Sequence, residues 1–133
     1  MLVQPGRFSV ELPARYRYES NGGVHRYIVE INQRAFVAQG GTYPWNVDVS
    51  DPRAKLEADL VTAARDLNDG KWIEVKWSDL PGVEAIGRRE GSVVRSYSRL
   101  IDADFITLTY AGPPGSERSP EVERFIASLR RVR

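Results

Sequence analysis

The last third of the sequence constrains the fold most strongly, because its elements follow one another in a readable order. Ser92–Ile101 and Asp104–Tyr110 are rich in β-branched and aromatic residues and are separated only by Asp102-Ala103, which predicts a tight β-hairpin. A loop follows at Gly112–Gly115, and the apolar residues after it recur at the spacing of an amphipathic helix. These residues are Val122, Phe125, Ile126 and Leu129. A hairpin followed by a closing helix favours a mixed fold of sheet and helices.

The first part of the chain contains four more strand candidates, separated by turn signals. Arg7–Leu12 alternates apolar and polar residues and stops at a proline, and Ala14–Glu19 alternates again. After the turn at Ser20–Gly23, Val24–Ile31 and Arg34–Gln39 predict a hairpin.

A helix is predicted after these strands, because Asp51 can cap free amides and Pro52 suits the first helical position. Leucines at helical spacing predict that it extends to Leu67, before a stop at Gly70. The apolar positions are Leu56, Leu60, Ala63 or Ala64, and Leu67. Two strands, Lys71–Trp77 and Val83–Glu90, precede the closing hairpin, and the last helix repeats the capping device as Ser119-Pro120.

Separate groups of strands and helices favour an α+β fold built on an antiparallel β-sheet. Tyr27-Ile28-Val29 and Phe105–Leu108 carry apolar residues of both parities, which predicts helices packed on both faces, an α-β-α sandwich. There is no linker, internal repeat or low-complexity tract, so residues 1–133 are expected to form one domain.

Composition excludes several classes of protein. The net charge is +1, so no overall field favours nucleic acid or anionic lipid, and no apolar run is long enough to cross a bilayer. The absence of cysteine excludes disulfides, thiolate metal sites and cysteine nucleophiles. Met1–Gly6 has no features of a secretory signal, so a cytoplasmic location is expected, or a periplasmic or lumenal one for a trimmed exported protein.

Three segments resemble the PsbP-like fold family, which also includes a Ran-binding nuclear import factor and small bacterial domains of unassigned function. Gly6–Pro13 is similar to the family's first strand, and Leu80–Ala85 to a strand-opening turn. Phe105–Tyr110 and Phe125–Leu129 are similar to its last strand and final helix, with Leu129 where the family has an aromatic residue. The resemblance implies an antiparallel sheet with helices on its faces. It assigns no functional residue.

The residues do not form a pattern typical of catalysis, and the chain is not expected to be an enzyme. His25 is the single histidine, and there is no Gly-x-Ser-x-Gly motif, so a surface position on a strand is expected for it. One histidine without cysteine excludes nitrogen and sulfur metal sites. The aspartate pairs Asp102/Asp104 and Asp48/Asp51 are interpreted as a turn and a helix cap. Neither a cofactor nor a metal is expected.

One candidate binding surface combines basic and aromatic residues. Period-two alternation puts Arg95, Tyr97 and Arg99 on one face of a strand, where they could contact a phosphate, a base or an acidic protein surface. The alternative is a solvated strand face paired with nearby carboxylates. Trp72 is the second candidate, either sealed beneath a helix or available as an interface anchor. Trp45 is expected to plug a sheet edge.

The leading functional hypothesis is a non-catalytic module that binds an unidentified protein or peptide. The alternative is a small-molecule-binding or weakly enzymatic domain, with a cavity between sheet and helix lined by Tyr43, Trp45 and Tyr97. Single-stranded nucleic acid is a weaker third hypothesis, and no membrane insertion is expected. An exposed edge strand permits a homodimer, although charged residues along each strand could equally guard that edge.

Overall fold

The structure is a computed structural model of the chain, and it describes residues 1–132. The described residues form ten β-strands and two α-helices. The strands are β1 (Leu2–Val3), β2 (Phe8–Glu11), β3 (Arg17–Asn21), β4 (Val24–Ile31), β5 (Arg34–Thr42), β6 (Glu74–Trp77), β7 (Gly82–Arg89), β8 (Ser92–Ile101), β9 (Asp104–Gly112) and β10 (Arg130–Arg131). The helices are α1 (Pro52–Ala63) and α2 (Pro120–Ala127).

Seven strands form the main sheet, in the order β3-β4-β5-β9-β8-β7-β6, and every neighbouring pair is antiparallel. The predicted β8–β9 hairpin is confirmed, with β8 at the predicted bounds and Ile101 opposite Asp104. The chain therefore belongs to the mixed α+β class with antiparallel sheets, as the sequence predicts.

A second, three-stranded sheet in the order β1-β2-β10 was not predicted. Together with α2 it lies over one face of the main sheet, where Phe8, Val10 and Phe125 pack against Phe36 and Tyr110. We call this the α2 face. Because β1 and β10 each contain only two residues, neither has a periodic pattern that a sequence could reveal.

The opposite face, which we call the α1 face, is covered by α1 in the region of β7 and β8. Leu56 and Leu60 pack there against Val83, Ala85 and Leu100. The predicted start of α1 is confirmed, since an Asp51 carboxylate oxygen accepts a hydrogen bond from the Ala54 N–H at 3.1 Å.

Several predicted boundaries are wrong. The strand predicted at Ala14–Glu19 spans Arg17–Asn21, and the strand predicted to end at Gln39 continues to Thr42. The first helix ends at Ala63 and continues as a single 3-10 turn to Asp66, and Leu67 is extended while its side chain still packs near Val94. The strand predicted from Lys71 begins at Glu74, because Trp72 lies beneath the end of α1 and donates its indole N–H to the Leu60 carbonyl at 2.9 Å.

Close backbone contacts fix the end of β5, from which the chain leads into the loop before α1. A Cβ on Gly40 would lie 2.6 Å from the Pro5 carbonyl oxygen. A Cβ on Gly41 would lie 2.7 Å from the carbonyl oxygen of Gly23. Glycine at both positions therefore lets the N-terminal loop and the β3–β4 turn approach β5 and hold its end in place.

Candidate functional site

Arg95 lies on the α2 face and is buried, with 4% of its surface exposed. Its Nε donates to a Glu84 carboxylate oxygen at 2.8 Å, and its Nη1 donates to the Glu117 carbonyl oxygen at 2.8 Å and to the Glu123 carboxylate. We call these four residues the Arg95 cluster. They join β7 and β8 to α2 and the loop before it, so the Arg95 guanidinium is already occupied within the chain.

Tyr97 and Arg99 share the α2 face with Arg95, as period-two alternation predicts, since all three pair with residues of that face of β9. Both are partly buried, and Tyr97 packs against the core beneath α2 and the small sheet. The Arg99 Nε is buried without a hydrogen-bond partner among residues 1–132. The strand face expected to be open is therefore largely covered.

Trp72 lies on the other side of the main sheet, beneath the end of α1. Besides its hydrogen bond to Leu60, its ring lies so close to Gly87 that a Cβ there would be 3.1 Å from Trp72 Cε3. Of the two roles weighed for Trp72, the structure has the one in which a helix seals it. The structure therefore brings Arg95, Tyr97 and Arg99 together but separates Trp72 from them.

Tyr43 and Tyr97 do not line one cavity, because they lie on opposite faces of the main sheet. One open groove, of about 480 Å³, lies elsewhere, at the end of β5, where its lining includes Gln4, Arg7, His25 and Thr42. His25 lies on β4, as expected for a strand residue, and its Nδ1 is 2.7 Å from the Tyr18 hydroxyl.

Trp45 is the most exposed large apolar side chain of the described residues, at 97%, and the expectation that it plugs a sheet edge is wrong. It occupies a turn closed by a hydrogen bond of 3.0 Å from the Val47 N–H to the Pro44 carbonyl oxygen. The turn holds the ring outward, away from the sheet. The Pro44-Trp45-Asn46 sequence is a turn signal, but a turn signal does not state whether a neighbouring segment covers the ring.

The loop that carries Trp45 spans residues 43–51, and we call it the Trp45 loop. At its start the Tyr43 N–H donates to the Ala103 carbonyl oxygen at 2.8 Å, and the Tyr43 ring lies on Phe105 with centroids 4.6 Å apart. At its end an Asp48 carboxylate oxygen accepts bonds from the Ser50 N–H and hydroxyl, and Asp51 caps α1. The loop is therefore fixed at both ends, and it holds the Trp45 side chain at the surface.

Tyr43 also joins the loop to the side of α1. Its hydroxyl donates to the Asp59 carboxylate at 3.2 Å, and the Lys55 ammonium donates to the same carboxylate at 2.9 Å. Burial, and secondarily the charge of Asp59, raise the pKa of the Tyr43 phenol. The hydrogen bond to Asp59 raises the pKa of Lys55. The phenol therefore keeps its proton as a donor, and the ammonium keeps its charge.

The Trp45 loop is acidic. Residues 43–51 include Asp48 and Asp51 but no lysine or arginine. The hydrogen bonds from the Ser50 hydroxyl and N–H lower the pKa of Asp48, so its carboxylate stays charged. The loop thus combines one large apolar ring with two carboxylates.

No set of three or more histidine, aspartate or glutamate side chains within residues 1–132 is arranged to hold a metal ion. In the same residues no helix has the length and apolar character needed to cross a lipid bilayer.

Comparison with known proteins gives a structural similarity only. No protein-family model matches the chain, and no curated protein matches its sequence. A crystal structure of a protein from Bacteroides thetaiotaomicron VPI-5482 is similar, with a TM-score of 0.56 and 16% sequence identity. The similarity covers 98% of this chain and 47% of that one, so the chain spans about half the length of that protein. At this identity the similarity shows a shared fold and nothing about activity.

Proposed function

We propose that this protein is a non-catalytic binding module that docks a partner protein or peptide through the Trp45 loop. The exposure of Trp45 on a fixed loop is the observation that carries the proposal. Tryptophan is among the residues most enriched at the energetic centres of protein interfaces. A large apolar ring that is held in water costs free energy in the isolated chain, and burial in a partner's pocket would recover it.

The anchoring of the loop supports binding, because a surface that is already ordered loses little conformational entropy when a partner docks. The hydrogen bonds at Tyr43, Val47 and Asp48 supply this order. The carboxylates beside Trp45 specify the partner's chemistry. We infer an apolar pocket large enough for an indole, rimmed by lysine or arginine side chains that complement the acidic loop.

We also infer that the fold is an α-β-α sandwich of the PsbP-like type. Helix α1 lies on one face of the main sheet, and α2, together with the small sheet, lies on the other. The sequence similarities at Gly6–Pro13 and Leu80–Ala85 support the same assignment.

Affinity capture from a lysate of the native host tests the proposed function. The bait is the wild-type chain, the Trp45→Ala variant, or Val61→Ala as a matched control that truncates an exposed apolar side chain on α1. We expect a protein retained by the wild type and the control and lost from Trp45→Ala. Its retention should weaken as salt rises, because the acidic rim contributes to binding. Equal retention by all three baits would contradict the proposal.

A further inference from the structure

The strand β6 ends the main sheet with a free edge. In the described sheet its neighbour is β7, and the main-chain groups on its other side have no strand to pair with. Such an edge is a template for another strand, and proteins commonly protect it with charged side chains, prolines or a covering segment.

The side chains of this edge are apolar on one side. Val75 and Trp77 lie opposite Ala85 and Val83 on the α1 face. Val75 is 45% exposed. An exposed β-branched side chain next to unpaired main-chain groups favours the addition of a strand over a solvated edge.

The other side of β6 carries one charge of each sign, Glu74 and Lys76. If two copies of β6 pair antiparallel with Val75 opposite Val75, each Glu74 lies opposite the other copy's Lys76. A shift of two residues in either direction would place Glu74 opposite Glu74 or Lys76 opposite Lys76. A shift of one residue would place charged side chains on the apolar face. The register centred on Val75 is therefore favoured by both faces of the strand.

Contacts within the chain leave this pairing available. The Arg118 guanidinium donates to both Glu74 carboxylate oxygens at 3.1 Å from the α2 face, and Lys76 forms no ion pair with residues 1–132. The Arg53 guanidinium lies 4.5 Å from the centre of the Trp77 ring and holds that ring beside α1. Lys76 thus has a free charge for a carboxylate of a second copy.

The opposite edge of the main sheet is different, although β3 also carries a pair of opposite charges, Arg17 and Glu19. Arg17 already forms ion pairs with Glu19 at 3.5 Å and with Glu30 at 3.4 Å. The face that carries these charges ends in Asn21 and has no exposed aliphatic side chain. These features protect the β3 edge against the addition of another strand.

We propose that a second copy of the chain pairs with β6 in the antiparallel register centred on Val75. The pair extends the main sheet across a twofold axis. On the α1 face the two Val75 side chains meet at the axis, with one Trp77 on each side of them. On the α2 face two pairs of Glu74 and Lys76 complete the interface.

Sedimentation equilibrium of the purified chain over a range of concentrations tests this proposal. We expect wild type to associate as a dimer. The variants Glu74→Lys and Lys76→Glu each replace both opposite-charge pairs with like-charge pairs, and should weaken association by roughly tenfold or more. An equimolar mixture of these two variants restores opposite charges in both pairs, so the mixture should dimerise again. Circular dichroism spectra establish that each variant is folded.

A matched control is Glu19→Lys on β3, which should leave association unchanged. Three results would overturn the proposal: a wild type that stays monomeric at the highest concentration, a mixture of variants that fails to associate, or a loss of the dimer in Glu19→Lys. If the wild type stays monomeric, the β6 edge would instead be a candidate site for a strand from a different protein.

Discussion

The Arg95 cluster and the Trp45 loop are both fixed by hydrogen bonds, but the central side chain is buried in the cluster and exposed in the loop. In the cluster, the bonds satisfy a charged group that is removed from water and tie α2 to the main sheet. In the loop, the bonds hold the backbone and leave a large apolar ring in water. The chemical type of a side chain alone therefore does not mark a binding residue. In the cluster the hydrogen bonds engage the arginine side chain itself. In the loop they engage only the groups that hold Trp45 in place.

The largest effect on stability is expected when the cluster loses its central charge. Arg95→Ala would leave the Glu84 and Glu123 carboxylates without their cation, and should lower the free energy of unfolding by about 3 kcal/mol. This value is near the lower end for buried ion pairs because Glu123 is half exposed. Urea denaturation measures the loss.

Arg118→Ala is the matched control, because it removes an arginine that pairs with Glu74 at the surface. It should change the free energy of unfolding by less than about 0.5 kcal/mol. If the two arginine variants were equally stable, the Arg95 cluster would not stabilise the packing of α2 on the main sheet.

A smaller effect is expected where the Trp45 loop meets α1, and the two helix starts allow a comparison. Asp51→Ala removes a side chain that caps α1 and should cost about 1 kcal/mol. Ser119→Ala should cost almost nothing, because Ser119 makes no capping bond and its hydroxyl is buried without a partner among residues 1–132. Thermal unfolding of both variants measures the difference, and an equal loss would contradict it.

The sequence predicts the same capping device at both helices, since each has a capping residue followed by proline. Only α1 uses it, since Asp51 accepts a hydrogen bond from the Ala54 N–H whereas the Ser119 side chain makes no capping bond. More generally, local patterns predicted the β8–β9 hairpin and the start of α1, whose signals lie within a few residues. They could not predict β10, whose two residues pair with β2 more than a hundred positions earlier.

The site was predictable only in part for the same reason. Alternation correctly placed Arg95, Tyr97 and Arg99 on one face, but a strand pattern does not state what covers that face. The covering group includes Glu123, 28 residues further along the chain. For Trp45 a cover was expected and is missing, because no segment of residues 1–132 covers the ring.

A small effect on stability is also expected from the hydroxyl that ties the loop to α1. Tyr43→Phe removes the hydrogen bond to Asp59 and should cost about 1 kcal/mol or less near neutral pH. In wild type the folded-state pKa of Tyr43 is raised above its ordinary value of 10.0, chiefly by burial. The stabilising contribution is therefore present below that pH and is lost as the pH rises through the folded-state value.

Denaturation curves at neutral and alkaline pH test this expectation. The wild type should lose stability relative to Tyr43→Phe as the pH rises above about 10. A difference between the two proteins that stays constant over this range would show that the phenol does not titrate as its burial implies.

Site-specific photo-crosslinking in the native host tests most directly whether Trp45 contacts a partner. A benzophenone amino acid is placed at position 45 or, as the control, at position 61 on the exposed side of α1. The account predicts a protein that becomes covalently attached through position 45 and is absent after irradiation of the control. If position 45 gave no cross-linked protein, or the same products as position 61, the Trp45 loop would not be the binding surface.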